Sequence, residues 1–163
     1  MRSLILSIDR RLSGLALLLA ALLLALVAAL GLWQVISRFL LEEPSTWTEE
    51  AMRRLLIWMV MLGTVAAFRR GALVSVDLML RLSRGAWLRY VRLGIAGVSL
   101  AYLTVIAWYG IDLAWRVRFQ TFASIGMSMG WAYLALPVGA LLSMLAVTAN
   151  FLDPRNEELG TAQ

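Results

Sequence analysis

The stretch LSGLALLLAALLLALVAALGLWQVISRFLL, from Leu12 to Leu41, decides the fold. Apart from small or mildly polar residues, only Arg38 interrupts it. A helix rises 1.5 Å per residue, so about 30 residues reach roughly 45 Å, well beyond the ~30 Å hydrocarbon core of a bilayer. The run is also too long for the apolar core of a signal peptide. We therefore predict a retained transmembrane helix that tilts or projects from the membrane.

Three more apolar runs of spanning length follow along the chain, at about 47–68, 91–115 and 129–152. The pattern Thr46-x-x-Glu49 at the start of the second run matches a helix capping box. Residues 72–88 mix leucines with arginines and Asp77, so this stretch is too broken to span; we predict an interfacial helix or a re-entrant connection there. The expected fold is an all-α integral membrane protein with four transmembrane helices in a single membrane domain, residues 1–163.

Composition excludes several classes of function. Hydrophobic residues make up 61% of the chain and the mean hydropathy is +0.80, against roughly 45–50% apolar residues in a soluble domain. The net charge is +5, but only 15% of residues are charged, too few for the solvated basic surface of a nucleic-acid binder. With no cysteine and no histidine, the chain has no disulfide, no thiolate or imidazole metal site, and no histidine-ligated haem. We expect no enzyme activity, no cofactor and no metal.

Arginine placement predicts the orientation. Ten of the arginines fall before the first run, between the second and third runs, or in the tail, and they share one side of the membrane. The opposite side has five: Arg38, Arg53, Arg54, Arg116 and Arg118. Since the excess of arginine marks the cytoplasmic side, both termini are expected in the cytoplasm and the two short connections outside.

The central parts of the four runs carry no charged side chain. A transporter that moves an ion or charged solute by itself usually retains an intramembrane charge, although this costs at least ~2.5 kcal/mol on insertion scales. The spans are therefore poorly equipped for proton relay, sodium coordination or carboxylate binding.

Small residues instead recur at helical spacing and predict close helix contacts. The candidates are Gly63 in the second run, Gly94, Gly97 and Ala101 in the third, and Gly139 and Ser143 in the fourth. Two interpretations stay open: packing within this four-helix bundle, or a stripe that faces another subunit. Pro137 removes one backbone donor from the fourth run and is expected to bend it.

The external connections carry charges that are candidates for partner contact. They are Glu42, Glu43, Glu49, Glu50, Arg53, Arg54, Arg116 and Arg118. Glu49 with Arg53 and Glu50 with Arg54 are i,i+4 pairs in the favourable order. The pattern fits either a solvated helix cap or a docking surface for a soluble partner.

Two stretches resemble a known family. The first is EEAMRRLLIWMVMLG at 49–63, followed by Arg69-Arg70-Gly71 and Val76-Asp77; the second is the entry into the last run, at 126–139. Together they are similar to the small membrane subunit of tripartite ATP-independent periplasmic (TRAP) transporters, the DctQ-like family. The matching motif residues are Glu50, Trp58, Arg70, Gly71, Asp77, Trp131 and Pro137. The chain departs from the family pattern in having Leu73 where a histidine is frequent and Ser128 where a proline is common.

The resemblance implies an auxiliary subunit in the bacterial inner membrane. In this family the small permease pairs with a large multi-spanning permease, which binds sodium and substrate, and with a periplasmic substrate-binding protein that delivers an organic acid. The small subunit enlarges the static scaffold, in contact with membrane lipid, and its partners select the substrate. A bundle without intramembrane charges suits that role.

Two other functions are compatible with a small four-span protein. A free-standing small exporter usually depends on a membrane-embedded carboxylate, which these runs lack. The membrane anchor of a respiratory dehydrogenase would have to bind quinone without histidine or haem.

Overall fold

The computed structural model describes residues 2–43, 45–70, 86–121, 124 and 126–152. This part of the chain is helical, with α1 Arg2–Phe39, α2 Thr46–Arg70, α3 Ala86–Arg116, α4 Gly130–Tyr133 and α5 Ala135–Leu152. Among the described residues, four segments are long and apolar enough to cross a membrane: Arg11–Phe39, Thr46–Arg70, Tyr90–Arg116 and Gly130–Leu152. The prediction of an interfacial helix or re-entrant connection falls on residues that mostly lie outside the described ranges, and its last three belong to α3.

α1 is a continuous helix because alanine and leucine are strong helix formers, and because lipid leaves backbone groups no partner outside the helix. It ends at Phe39, two residues before the predicted end. The turn that follows is closed by the Glu43 N–H, which donates to the Ser37 carbonyl at 3.2 Å, while the Ser37 hydroxyl donates to the Glu43 carbonyl. Glu42 has φ 56°, in the left-handed region that favours glycine.

The start of α2 differs from the predicted capping box. Thr46 is already the first helical residue, and the contacts at this end are made one position earlier. The Thr48 hydroxyl donates to the Ser45 carbonyl at 2.7 Å and lies 3.0 Å from the Ser45 hydroxyl. Glu49 turns forward instead and pairs with Arg53. At this end the hydroxyls of Ser45 and Thr48 thus contact each other, while the Glu49 carboxylate lies on the helix surface.

The fourth span breaks at Leu134, between α4 and α5. In a regular helix the residue at 137 would donate to the carbonyl at 133, but Pro137 has no N–H and its ring crowds that carbonyl. The helical path resumes through Leu134, whose N–H donates to the Gly130 carbonyl at 2.9 Å and whose carbonyl accepts from Val138 at 3.2 Å. The irregularity therefore appears one turn before the proline.

The last span is the centre of the bundle. Half of its most apolar window is buried, against 11% for the corresponding windows of α1 and α3. Two clusters form the core: one joins Met61, Leu103, Ala107, Ala135, Ala140 and Val147, and the other joins Ala16, Ala20, Leu62, Val65 and Ala146. α1 therefore packs mainly on α2, and α3 packs on α5, so both flanking helices keep wide open faces.

Candidate functional site

The start of α2 and the connection between α3 and α4 meet at one end of the bundle. Glu50 joins them: its Oε2 accepts the backbone N–H of Ser124 at 3.3 Å and lies 3.2 Å from Nη2 of Arg54. The Arg54 side chain is only 13% exposed, whereas the neighbouring Glu49–Arg53 pair is open to solvent. A groove of about 540 Å³ runs past both pairs to Tyr133. We call this set, Glu49, Glu50, Arg53, Arg54 and Ser124, the external cluster, after the side on which the arginine distribution is expected to place it.

A second groove, of about 650 Å³, lies on the other side of Arg54 and is mostly apolar. Trp47, Trp58 and Trp131 line it. The indole N–H of Trp58 donates to the backbone carbonyl of Trp131 at 3.2 Å. The two sequence stretches that carry the family motifs therefore meet here, one on α2 and one at the entry of the last span.

The remaining external charges lie around this end without joining the grooves. Glu42 and Glu43 are exposed in the turn after α1. Arg116 pairs with Asp112 at 2.8 Å on the surface of α3. The Arg118 guanidinium lies 3.6 Å from the centre of the Trp115 ring, a cation–π contact at the end of the helix.

Ser128 ties together the connection between α3 and α4. Its hydroxyl donates to the Arg118 carbonyl at 2.6 Å and accepts the Gly130 N–H at 3.2 Å. The isolated bridge between Thr121 and Ser128 closes the same loop. A hydrogen-bonding side chain thus fixes the entry into α4.

One of the six candidate packing residues, Gly139, lies in a close helix contact, and a second, Ser143, is fully buried. A Cβ built on Gly139 would lie 2.6 Å from Met61 Cβ, so α5 and α2 touch where the glycine has no side chain. Ser143, one turn further, is fully buried, and its hydroxyl has no hydrogen-bond partner among the described residues. Small residues allow such close approach in lipid.

The other four packing candidates lie away from these contacts. Nothing described lies within 4 Å of a Cβ built on Gly63, Gly94 or Gly97, and Ala101 is exposed. The buried side of α3 is formed by Leu103, Ala107, Gly110 and Ala114 instead. At 100° per residue this buried side is about 140° around the helix from the stripe of Gly94, Gly97 and Ala101. The α3 stripe therefore lies on the open side of the helix.

Gly110 and the Asp9–Arg69 pair are features that the sequence analysis missed. A Cβ on Gly110 would lie 2.8 Å from Leu136 Cβ and 2.9 Å from Pro137 Cδ, so α3 also meets α5 at a glycine. The spacing Ala107, Gly110, Ala114 is a second small-residue stripe that could have found it. Asp9 and Arg69 form a buried ion pair between α1 and α2.

The seven motif residues do not all lie in one place. Glu50, Trp58 and Trp131 lie at the external cluster and its grooves, and Pro137 is buried against α3. Arg70 is exposed at the end of α2, while Gly71 and Asp77 lie outside the described residues. In the described part of the chain, no group of three or more histidine, cysteine, aspartate or glutamate side chains is placed to hold a metal.

These features define a class of membrane protein: a small multi-span subunit whose helices are charged only near their ends and which keeps open helix faces. The family model described as "Tripartite ATP-independent periplasmic transporters, DctQ component" matches residues 27–156. The chain therefore belongs to the DctQ component family and is a small permease subunit of a TRAP transporter, a transport protein and not an enzyme.

Two relatives are similar over most of this chain. The sialic acid TRAP transporter small permease protein SiaQ of Vibrio cholerae is 32% identical over 120 residues, which cover 73% of this chain and 69% of the relative. The sialic acid TRAP transporter permease protein SiaT of Haemophilus influenzae is 28% identical over 122 residues, 72% of this chain but 20% of that protein. The chain thus matches about a fifth of the longer permease. Family membership leaves the exporter and respiratory-anchor alternatives without support.

Proposed function

We propose that this small permease is the scaffold partner of a large permease in a sodium-coupled, binding-protein-dependent importer of organic acids. One observation carries the proposal: no Asp, Glu, Lys, Arg or His lies between Arg11 and Arg38, between Arg54 and Arg69, or from Gly130 to Leu152. A coupling ion or an organic anion would therefore find no charged site within these spans. Binding and coupling then belong to the large permease, and this subunit supplies static helices.

The open face of α3 is the proposed contact with the large permease. Tyr90, Gly94, Gly97, Ala101 and Trp108 are all exposed and lie within about 60° of one another around the helix. Glycine and alanine let a second helix approach closely, and the flanking aromatic side chains add contact area. A contact with the large permease would account for the exposed glycines and alanine on this face of α3.

This contact is tested by co-purification of the large permease with Gly97→Leu. A leucine has room within the isolated subunit, because nothing described lies within 4 Å of the Gly97 Cβ position. We expect the subunit to fold normally but to recover much less of the large permease. The matched control is Val98→Leu, a small change at the adjacent exposed position. Full recovery of the complex with Gly97→Leu would contradict the contact.

We further propose that the external cluster, with Glu42, Glu43, Arg116 and Arg118 around it, helps to dock the periplasmic binding protein. Opposite charges are interspersed across this end, and such rims tune encounter and orientation more than affinity. Glu43→Arg and Arg118→Glu should each lower uptake while the large permease still co-purifies. The conservative changes Glu43→Asp and Arg118→Lys should keep uptake near normal. Unchanged uptake in both charge-reversed variants would rule out docking here.

Docking requires the end of the bundle that carries the external cluster to face the periplasm. In the bacterial inner membrane, both termini would then lie on the cytoplasmic side. The chain has no cysteine, so single cysteines can report orientation. Glu43→Cys should react with a membrane-impermeant maleimide in intact spheroplasts, and Arg70→Cys only after permeabilisation; both positions are exposed. The opposite labelling pattern would invert the topology and remove the docking proposal.

A further inference from the structure

A buried ion pair joins the N-terminal part of α1 to the last turn of α2. Nε of Arg69 lies against Oδ2 of Asp9, and the two side chains are only 6% and 4% exposed. The pair is at the opposite end of the bundle from the external cluster. One turn along α1, the Ser13 hydroxyl donates to the Asp9 backbone carbonyl at 2.7 Å. Two charges are thus held between helices that also pack through an apolar cluster.

Apolar packing defines the axial position of α1 only weakly. Where α1 meets α2, Ala16 and Ala20 are buried in one cluster with Leu62 and Val65. The same Ala-x-x-x-Ala spacing recurs further along α1, at 21 and 25 and again at 25 and 29. A shift of five residues would bring an identical alanine pair to that level, displaced by about 7.5 Å. Since leucines surround each pair, burial of apolar surface distinguishes these positions poorly.

The ion pair does distinguish them. Breaking the pair while either side chain stays buried leaves a charge without compensation, which is strongly unfavourable. A single buried polar contact fixes the register of coiled coils for the same reason. Of the alternative alanine alignments, only the observed one brings Asp9 against Arg69.

We propose that the Asp9–Arg69 pair is the positioning contact that fixes the axial register of α1 on α2. The family match begins at residue 27, so Asp9 precedes it whereas Arg69 lies within it. The contact thus secures a part of α1 that the family match does not cover. Its register in turn sets which leucines of α1 the subunit presents to lipid or to a partner. This role is independent of the proposed docking and scaffold contacts.

Cross-linking between introduced cysteines in the full-length subunit measures the register. A Cβ on Gly31 lies 3.6 Å from Met52 Sδ, so Gly31→Cys with Met52→Cys reports the observed alignment. Leu26→Cys or Ile36→Cys, each combined with Met52→Cys, reports a shift of five residues in either direction. In the otherwise unchanged chain the Gly31→Cys pair should give the dominant product.

Asp9→Arg should lower the ratio of native to shifted cross-links by about tenfold or more, because like charges then meet in a buried position. The exchange Asp9→Arg with Arg69→Asp should restore the ratio to within about twofold of the original. Asp112→Arg is the matched control: it breaks an exposed ion pair on α3 and should leave the ratio unchanged.

A neutral double variant keeps the test decisive if Asp9→Arg fails to insert. Asp9→Asn with Arg69→Gln buries no uncompensated charge, so it should fold while its cross-links spread to the shifted reporters. The proposal is overturned if this variant keeps the native product alone. It is also overturned if the charge exchange folds without restoring the native product, since the pair would then not select the register.

Discussion

Replacing Gly139 with alanine is expected to destabilise the subunit where α5 meets α2. The new Cβ would lie 2.6 Å from Met61 Cβ, 3.0 Å from Met61 Cε and 3.3 Å from the Met61 backbone carbonyl carbon. Carbon atoms pack best at about 3.5–4.0 Å, so the deficit at the Cβ is roughly 1 Å. The flexible Cε can swing away, but Cβ and the backbone carbon cannot move without α2. The two helices must therefore separate.

Overpacking of this kind costs about 1–3 kcal/mol. Alanine also gains up to about 1 kcal/mol of helix propensity over glycine, which obscures the cost in a single variant. Gly97→Ala is the control for helix propensity. It gains the same helix propensity as Gly139→Ala, but its new Cβ meets nothing described within 4 Å. We therefore expect Gly139→Ala to be less stable than Gly97→Ala by about 1–3 kcal/mol.

Reversible unfolding of the purified subunit in mixed micelles of a mild detergent and SDS, followed by circular dichroism, measures the difference. Gly63→Ala is a second control, since its Cβ position on α2 is also open. Equal stability of the Gly139 and Gly97 variants, or a more stable Gly139→Ala, would refute the close contact between α5 and α2.

Three further changes test individual contacts by the same unfolding assay. Ser143→Ala should raise stability by about 1 kcal/mol, because it removes a buried hydroxyl without a partner among the described residues; a loss of stability would mean that the hydroxyl is bonded. Glu42→Gly should stabilise by about 0.5–1 kcal/mol by relieving a φ of 56°, less the entropy that glycine adds to the unfolded chain; no gain would argue against a left-handed residue there. Trp58→Phe should cost about 1 kcal/mol by removing the indole hydrogen bond to the Trp131 carbonyl; a neutral effect would show that this bond does not hold the last span against α2.

The number of spans could be predicted from the sequence, because a helix in lipid must form all its backbone hydrogen bonds internally across a fixed membrane thickness. Four apolar runs therefore became four candidate membrane-crossing segments. Their ends were less accessible. α3 begins at Ala86 although the apolar run begins near 91, because a helix can continue past the point where hydrophobic residues stop. At the start of α2 the side-chain contacts are made by Ser45 and Thr48 and not by the predicted pair Thr46 and Glu49, a difference that local spacing alone did not reveal.

The helix faces that contact each other could be predicted only in part. A stripe of small residues predicts that a helix can be approached closely, but α3 carries two such stripes and the sequence does not rank them. The structure buries Ala107, Gly110 and Ala114 against the last span and leaves Gly94 and Gly97 open. Which stripe packs internally depends on the rotation of α3 against α5, a property of two helices together.

Contacts between distant parts of the chain were the hardest to predict from the sequence. The link between Glu50 and Ser124 joins the start of α2 to the connection between α3 and α4, and the Asp9–Arg69 pair joins two helices. Each of these residues looks ordinary in its local sequence: a helix cap, a loop serine, a charge beside an apolar run. Their pairing follows only once the antiparallel arrangement and the register of the helices are known.

The central proposal is that this subunit carries no transport site of its own. Uptake of the transporter's organic acid into sodium-gradient vesicles tests it directly, with this subunit alone, the large permease alone, and both together, each with the binding protein. We expect no uptake by the small permease alone and full uptake only when both permeases are present. Sodium-driven uptake by this subunit in the absence of the large permease would contradict it.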